Sequence, residues 1–237
     1  MISLSYDLHL HSCLSPCGDD DMTPANIAGM AAVKGLDVIA LTDHNSCRNC
    51  PALLAAAGAF GVLAVPGMEL TTREEVHVVC LFAELEGAMA FDRYVYERLL
   101  PIPNREEIFG KQQIYDEEDR ICAVEPLLLI SAADISFDEA GELAGRFGGV
   151  MFPAHIDKGS NSLLANLGFI PPDSSFRTAE LSDMRRLHDL RRQHPYLEGC
   201  RILCSSDAHY LEQIHEPELR LAVRERSAAA VVEALGG

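Results

Sequence analysis

The sequence contains no tryptophan, and aromatic residues fill only 6% of its 237 positions. Basic residues are scarce as well: 19 lysines and arginines stand against 36 aspartates and glutamates, a net charge of -17. A groove lined by cations and stacking aromatics, the usual platform for single strands, is therefore not expected. The same balance gives no long-range attraction to a nucleic-acid backbone or an anionic membrane, so neither is expected as the main partner, although a local group of cations can still recruit a phosphate. No apolar run is long enough to span a bilayer, and the opening Met1-Ile2-Ser3-Leu4-Ser5-Tyr6-Asp7 has no basic n-region and no apolar h-region. A soluble cytoplasmic protein is expected. Solenoid-period repeats and low-complexity tracts are missing too.

What is present suits one sizeable core. Hydrophobic types make up 48% of the chain and charged types 23%, which argues against disorder. The length is that of a single α/β barrel, commonly about 200–250 residues. Short β-rich runs fall at Leu4–His9, Val38–Asp43, Leu63–Glu69, Val76–Phe82, Gly149–Ala154, Thr178–Leu181 and Ile202–Ser206. Several are nearly unbroken apolar runs, as expected of strands buried on both faces of a parallel sheet. Helical patterns lie between them. Thr23-Pro24, an apolar stripe and Gly35 read as cap, first-turn proline and stop. Further helices are expected from Cys50-Pro51 to near Gly61, and over Met89–Leu100, Ser136–Phe147, Asp183–His194 and Ser227–Leu235. The alternation predicts an α/β fold with a parallel sheet, open or closed into a barrel. Residues 85–134 break the rhythm and read as an insertion, either a lid or a solvated excursion.

The polar residues that carry chemistry cluster at the ends of these runs. Asp7-Leu8-His9-Leu10-His11 ends the first, Thr42-Asp43-His44-Asn45 the second and Gly67-Met68-Glu69 the third. His77 sits in the fourth, Pro153-Ala154-His155-Ile156-Asp157 ends the fifth, and Ser205-Ser206-Asp207-Ala208-His209 ends the last. Residues i and i+2 of a strand share a face, so His9 and His11 can grip one ion. In parallel α/β folds the site lies at the C-terminal strand ends. Imidazole and carboxylate donors suit Zn²⁺, Mn²⁺ or Fe²⁺, and this many donors exceed the needs of one ion.

In these motifs the chain resembles the PHP (polymerase and histidinol phosphatase) domain phosphoesterases. Asp7–Ser12, Thr42–Asn45, Gly67–Glu69 with His77, Pro153–His155 and Ser206–His209 match in the family's order. The resemblance implies a distorted seven-stranded β/α barrel, TIM-barrel-like, forming one domain over residues 1–237 with the insertion at about 85–134. It implies two or three divalent metal ions (Zn, Mn or Fe). One would be held by His9, His11, Glu69 and Asp207. A second would be held by Glu69, His77 and His155, and a third by His44, His209 and a residue of the loop after His11. The family's loop commonly reads Ser-Asp-Gly; here it reads Leu14-Ser15-Pro16-Cys17-Gly18-Asp19-Asp20-Asp21. Counting back from Thr23-Pro24 points to Asp19, with Asp20 as the alternative.

Glu69, Asp207 and His209 are the expected catalytic residues, and Lys158, Arg73 and Asn45 the expected substrate contacts. Asp7 and Asp43 adjoin ligand histidines and are expected to accept their second ring N–H. Ions about 3.5–4 Å apart clamp phosphoryl oxygens and turn a water into hydroxide near neutral pH, which attacks phosphorus in line. Because bound ions set the local field, an acidic protein can still bind a phosphoester. The expected function is metal-dependent hydrolysis of a small phosphorylated metabolite: a sugar phosphate, histidinol phosphate or nucleotide. No nucleic acid and no membrane is expected as partner. The alternatives are a PHP-type nuclease or exonuclease, and a metal-binding module without turnover. Cys13, Cys17, Cys47 and Cys50 follow the first two strands, and a C-x₃-C plus C-x₂-C set is compatible with a further zinc or iron–sulfur site or with reduced loop thiols.

Overall fold

The protein is described here by a computed structural model covering residues 1–236. In chain order its elements are β1 (Ile2–Leu10), α1 (Pro24–Lys34), β2 (Val38–Leu41), α2 (Cys50–Phe60), β3 (Leu63–Thr71), β4 (His77–Phe82), α3 (Leu85–Tyr96) and α4 (Glu106–Phe109). There follow β5 (Gln113–Tyr115), β6 (Ile121–Val124), α5 (Phe137–Arg146), β7 (Gly149–Pro153), α6 (Leu163–Asn166), β8 (Thr178–Glu180), α7 (Leu187–Gln193), β9 (Arg201–Leu203), β10 (Arg220–Val223) and α8 (Ala228–Gly236). None of the described helices is long and apolar enough to cross a membrane.

Helix boundaries follow local chemistry. The Thr23 side chain accepts from Asn26 N, Pro24 supplies the first turn, and Gly35 ends α1 at φ 79°, a left-handed conformation that glycine adopts without strain. A capping box between Ser136 and Glu139 starts α5. The helix expected over Asp183–His194 is split: a 3₁₀ turn at Met184–Arg186 precedes α7.

All seven expected strands form, and one six-stranded sheet runs β10-β1-β2-β3-β4-β7. The expected uniform parallel pairing is corrected. Only β1, β2 and β3 pair in parallel; β3–β4, β4–β7 and β1–β10 are antiparallel. Residues 72–76 alone join β3 to β4, and a parallel return needs a crossover of a dozen or more residues. The seven-stranded barrel is corrected in the same way. β8 and β9 form a separate parallel pair. It touches the sheet at the strand ends, where Ile156 N donates to Glu180 O and His11 N to Ala208 O. The result is a curled half-barrel.

The sheet buries both faces. Leu4, Tyr6, Leu8, Val38, Val79 and Phe152 form the inner layer with Ala230, Val231 and Leu235 of α8. Ile39, Leu41, Val78 and Cys80 face outward against α1, α2, α3 and α5. The β1–β2 register shifts between Asp7 and Leu10. Leu8 lies in the inner layer and Leu10 in the outer one, so the bulge turns His9 and His11 inward together. Bulges beside functional sites re-aim side chains in this way.

Residues 85–134 are partly core. Ala88, Phe91 and Val95 of α3 are buried, whereas β5 and β6 form an outlying hairpin with Ile121 and Val124 exposed. The hairpin borders the loop after β1 through Gln113 N to Cys13 O (3.2 Å) and the loop after β2 through Tyr115 N to Asn49 Oδ1 (2.8 Å).

Candidate metal centre

Six histidines and two carboxylates meet at one edge of the sheet, mostly at C-terminal strand ends, with His77 opening the antiparallel β4. Glu69, only 1% exposed, is at the middle. Its Oε1 lies 3.0 Å from His77 Nδ1 and from His155 Nε2, and 3.3 Å from His9 Nε2. Its Oε2 lies 3.0 Å from His44 Nδ1 and 3.3 Å from His11 Nε2. Asp207 Oδ1 lies 3.1 Å from His11 Nε2 and 3.4 Å from His9 Nε2. Two of these donors hold left-handed backbone, His155 at φ 29° and Asp207 at φ 53°. Such positions cost on the order of 1 kcal/mol or more and persist only where their surroundings hold them.

Those surroundings are polar anchors. Glu180 Oε1 sits 2.8 Å from His9 Nδ1 and also accepts from His155 N at 3.2 Å. His11 Nδ1 lies 3.0 Å from Ser15 Oγ, which donates to Asp43 Oδ1 at 2.7 Å. Asp43 therefore serves His11 through a serine rather than directly. Asp7 touches no ring; it accepts Ser206 N (3.0 Å) and His215 N (2.9 Å), fixing the turn that carries Asp207. His209 Nδ1 lies 2.7 Å from Asp207 O. In His9, His11 and His209 the outer ring nitrogen is thus engaged, and the other is left for a cation.

The electrostatics are those of a cation site. Burial alone would raise the Glu69 pKa, but His77, His9 and His44 outweigh it and hold the carboxyl well below its usual range. Burial also opposes ionisation of Asp207, and His9 and His11 likewise hold it low. Burial opposes charge on His9 and His11 too, yet Glu180, Glu69 and Asp207 raise the first well above normal, and Asp207 and Glu69 raise the second to about 9. Burial pushes His44 down to about 3 and His209 down to about 4.

Three groups place donor atoms within 4.8 Å of one another: His9, His11, Glu69 and Asp207; His44, Glu69 and His77; and His11, Cys17, His44 and His209. They share residues, so they form one contiguous cluster. The fit to divalent ions rests on the donor chemistry, imidazole nitrogens around carboxylate oxygens. Buried His44 Nδ1, although 3.0 Å from Glu69 Oε2, also makes no well-aligned hydrogen bond.

Of the residues expected here, His9, His11, His44, Glu69, His77, His155, Asp207 and His209 come together. Asp19 does not join them: its carboxylate accepts Asp21 N at 3.0 Å, and Asp20 is exposed. Lys158 is at the mouth, paired with Asp207. Burial works against its charge, and Asp207 more than restores it. Arg73 is elsewhere, in a surface pair with Asp134 at 2.8 Å. Asn45 is spent on backbone: Nδ2 donates to the Leu129 and Ser131 carbonyls at 2.6 and 2.8 Å, and Oδ1 accepts Thr71 N at 2.9 Å. The cysteines do not assemble a fourth site. All eight are free, and Cys47 and Cys50 point their thiols at Gly67 O, away from Cys17, which faces the histidines. Glu180 was not anticipated; an acid between the buried Ala179 and Leu181, at a strand end, was the available signal.

Fold and site together define a candidate metal centre of imidazole and carboxylate donors on an α/β half-barrel. The chain belongs to the PHP domain family, whose model matches residues 7–167, more than half of its length. Endonuclease Q from Pyrococcus furiosus, described as lesion-specific, superposes with a TM-score of 0.69 at 20% identity, covering 100% of this chain and 56% of that one. Endonuclease Q in complex with a 27-mer duplex carrying an abasic lesion at the active site gives 0.64 at 19% identity, covering 100% and 58%. A 5'-3' exoribonuclease of Haemophilus influenzae is 33% identical over 79 residues, 32% of this chain and 28% of that protein. The chain thus spans little more than half of the endonuclease chains and under a third of the exoribonuclease.

The duplex complex corrects one expectation. Net charge does not exclude nucleic acid for this fold, because endonuclease Q, of similar fold, is seen with a 27-mer duplex substrate carrying an abasic lesion at its active site. Net charge is a far-field average, screened beyond about 8 Å at physiological salt. Contact is decided locally.

Proposed function

We propose that the protein is a metal-dependent nuclease, hydrolysing phosphodiester bonds of nucleic acid in the pocket around Glu69. The observation that carries this is the convergence of six imidazoles on Glu69 and Asp207 at the strand ends, opening beside Lys158. The endonuclease Q structures and the exoribonuclease relative favour a polymer over a small metabolite as substrate.

In this reading His9, His11, Glu69 and Asp207 hold one ion, and Glu69, His77 and His155 a second, with His44 and His209 beside them. Zinc, manganese and iron all suit the nitrogen and oxygen donors. When bound, such ions polarise phosphoryl oxygens and lower the pKa of water in the pocket. The remaining work falls to the protein. Asp207, His209 and Lys158 are the accessible members, with side chains 12, 23 and 42% exposed, so substrate enters from their side. Lys158 exchanges its partner Asp207 for a phosphate oxygen, a charge-assisted contact that places the scissile group. Arg186 donates to Asp157 O, next to Lys158. The segment 177–201 holds six arginines against four acids. Of these arginines Arg186 is the one beside Lys158; Arg185, Arg191 and Arg192 pair with Asp183, Glu198 and Asp189, and Arg177 and Arg201 lie at the ends of β8 and β9 opposite the pocket. The hairpin of residues 113–124 borders the pocket loop from outside and acts as a partial cover.

End-labelled oligonucleotides test the reading: single-stranded, duplex, and duplex with an abasic position, each against an aryl phosphate monoester. Cleavage of an oligonucleotide by metal-loaded protein, lost on chelation, is expected. Monoester hydrolysis with every oligonucleotide intact would return the assignment to small phosphorylated metabolites.

A further inference from the structure

We infer that Cys17 supplies a thiolate to the ion held by His44 and His209, building a third site of two imidazoles and one sulfur at the mouth of the pocket. The inference rests on the metal-binding reading of this pocket and is independent of the substrate.

The geometry places Cys17 there. One donor atom from each of His11, Cys17, His44 and His209 lies within 4.8 Å of the others. Tetrahedral zinc bonds of about 2.0–2.3 Å separate their ligand atoms by about 3.3–3.6 Å, so an ion needs only a small inward adjustment. His11 turns Nδ1 to Ser15 and Nε2 to Glu69 and Asp207, which commits it to the neighbouring ion. Cys17, His44 and His209 remain. Three protein donors with an open fourth position are the arrangement of a reactive site rather than a closed structural one.

The loop is built for this placement. Ser15 N donates to Ser12 O and Gly18 N to Ser15 O, two successive tight turns. A Cβ at position 18 would lie 2.2 Å from Ser12 O, so only glycine allows the chain to press against β1's end there. Asp19 N then donates to His209 O at 3.0 Å, tying the loop to the strand end that brings His209. Of the three acids that follow Gly18, Asp19 accepts Asp21 N, and Asp20 and Asp21 are exposed. Two further observations point to a ligand. His44 is 3% exposed, and its Nδ1, 3.0 Å from Glu69 Oε2, makes no well-aligned hydrogen bond. The His11 and His209 rings stack at 4.4 Å between centroids, an approach of two imidazoles that a shared cation cluster would explain.

The chemistry has a consequence for metal choice. A thiolate is softer than a carboxylate and selects zinc over manganese or magnesium. On binding, the Cys17 S–H bond breaks, its electron pair forms the metal–sulfur bond, and the proton leaves to solvent; no oxidation is involved.

Cobalt substitution tests this on the full chain. Metal-free protein loaded with Co²⁺ is expected to show a sulfur-to-cobalt charge-transfer band in the near ultraviolet. Cys17→Ser is expected to abolish the band and to bind one equivalent less. Cys17→Asp is expected to restore the equivalent without the band, and to favour manganese relative to zinc. Cys122→Ser, an exposed cysteine on the hairpin, is expected to keep both band and stoichiometry. A band that survives Cys17→Ser, or wild-type protein that takes up cobalt with no band, would overturn the assignment while leaving the metal pocket intact. Wild-type protein that binds no ion at all would overturn both. Circular dichroism of each variant confirms that it is folded.

Discussion

Glu180 fixes the orientation of His9: its Oε1 lies 2.8 Å from His9 Nδ1, so Nε2 faces Glu69 and Asp207. The same oxygen accepts His155 N, so one buried carboxylate positions two donors from different strands. Glu180→Ala is expected to weaken metal affinity by ~10–100-fold, the usual scale for losing an outer partner of a metal-bound histidine. Isothermal titration of the metal-free variant measures this. Glu180→Gln, which keeps an acceptor oxygen, is expected to recover part of the loss.

Glu69 and Lys158 differ in rank. Glu69→Gln is expected to reduce kcat/KM by at least ~10³-fold together with bound metal, because its two oxygens face five imidazoles; Lys158→Ala is expected to cost ~10–100-fold with metal content unchanged, on the scale of one electrostatic contact. Equal losses, with metal content measured on both variants, would contradict these roles.

Metal-free protein is expected to lose stability as pH rises. His11 is held at about 9 against an ordinary 6.5, Asp207 and Glu69 overcoming the burial that opposes its charge. Its proton is bound more tightly in the folded state. The stabilisation is therefore fully present below about pH 6.5 and disappears as pH climbs through about 9. Bound ions take over the role of that proton. Chelator-treated protein should show Tm falling between about pH 7 and 9.5, and metal-loaded protein should not.

Asn45 is a structural clamp. Asn45→Ala removes three hydrogen bonds, strands the Thr71 N–H and leaves a non-glycine residue at φ 48°. A cost of about 2–4 kcal/mol is expected. It is checked by denaturant unfolding, with the KM of the folded fraction unchanged. A raised KM at full stability would restore Asn45 to the substrate site.

The strands were legible because their runs are apolar on both sides, and the donors because histidines and acids follow those runs directly. Strand direction was not. Val76–Phe82 is as apolar as a parallel core strand, but the short link after Thr71 forces it to turn back. β10 escaped notice because Arg220 and Ala222 alternate outward with Leu221 and Val223 inward over only four residues. Counting along the loop points to Asp19, whereas the turn at Gly18 decides which side chain faces the histidines. Glu180 is the only acid in its short strand, and nothing nearby in sequence reveals that His9, 171 residues earlier, is its partner.

The pairing of Ile2 with Val223 across β1 and β10 has a consequence for biosynthesis. The β3–β4 hairpin supplies Glu69 and His77 close together, but His9 and His11 must wait for Asp207 and His209, which follow β9. A nascent chain therefore carries an unfinished pocket until residues 207–209 have been made. A product truncated before Asp207 lacks two of the eight donors, Asp207 and His209.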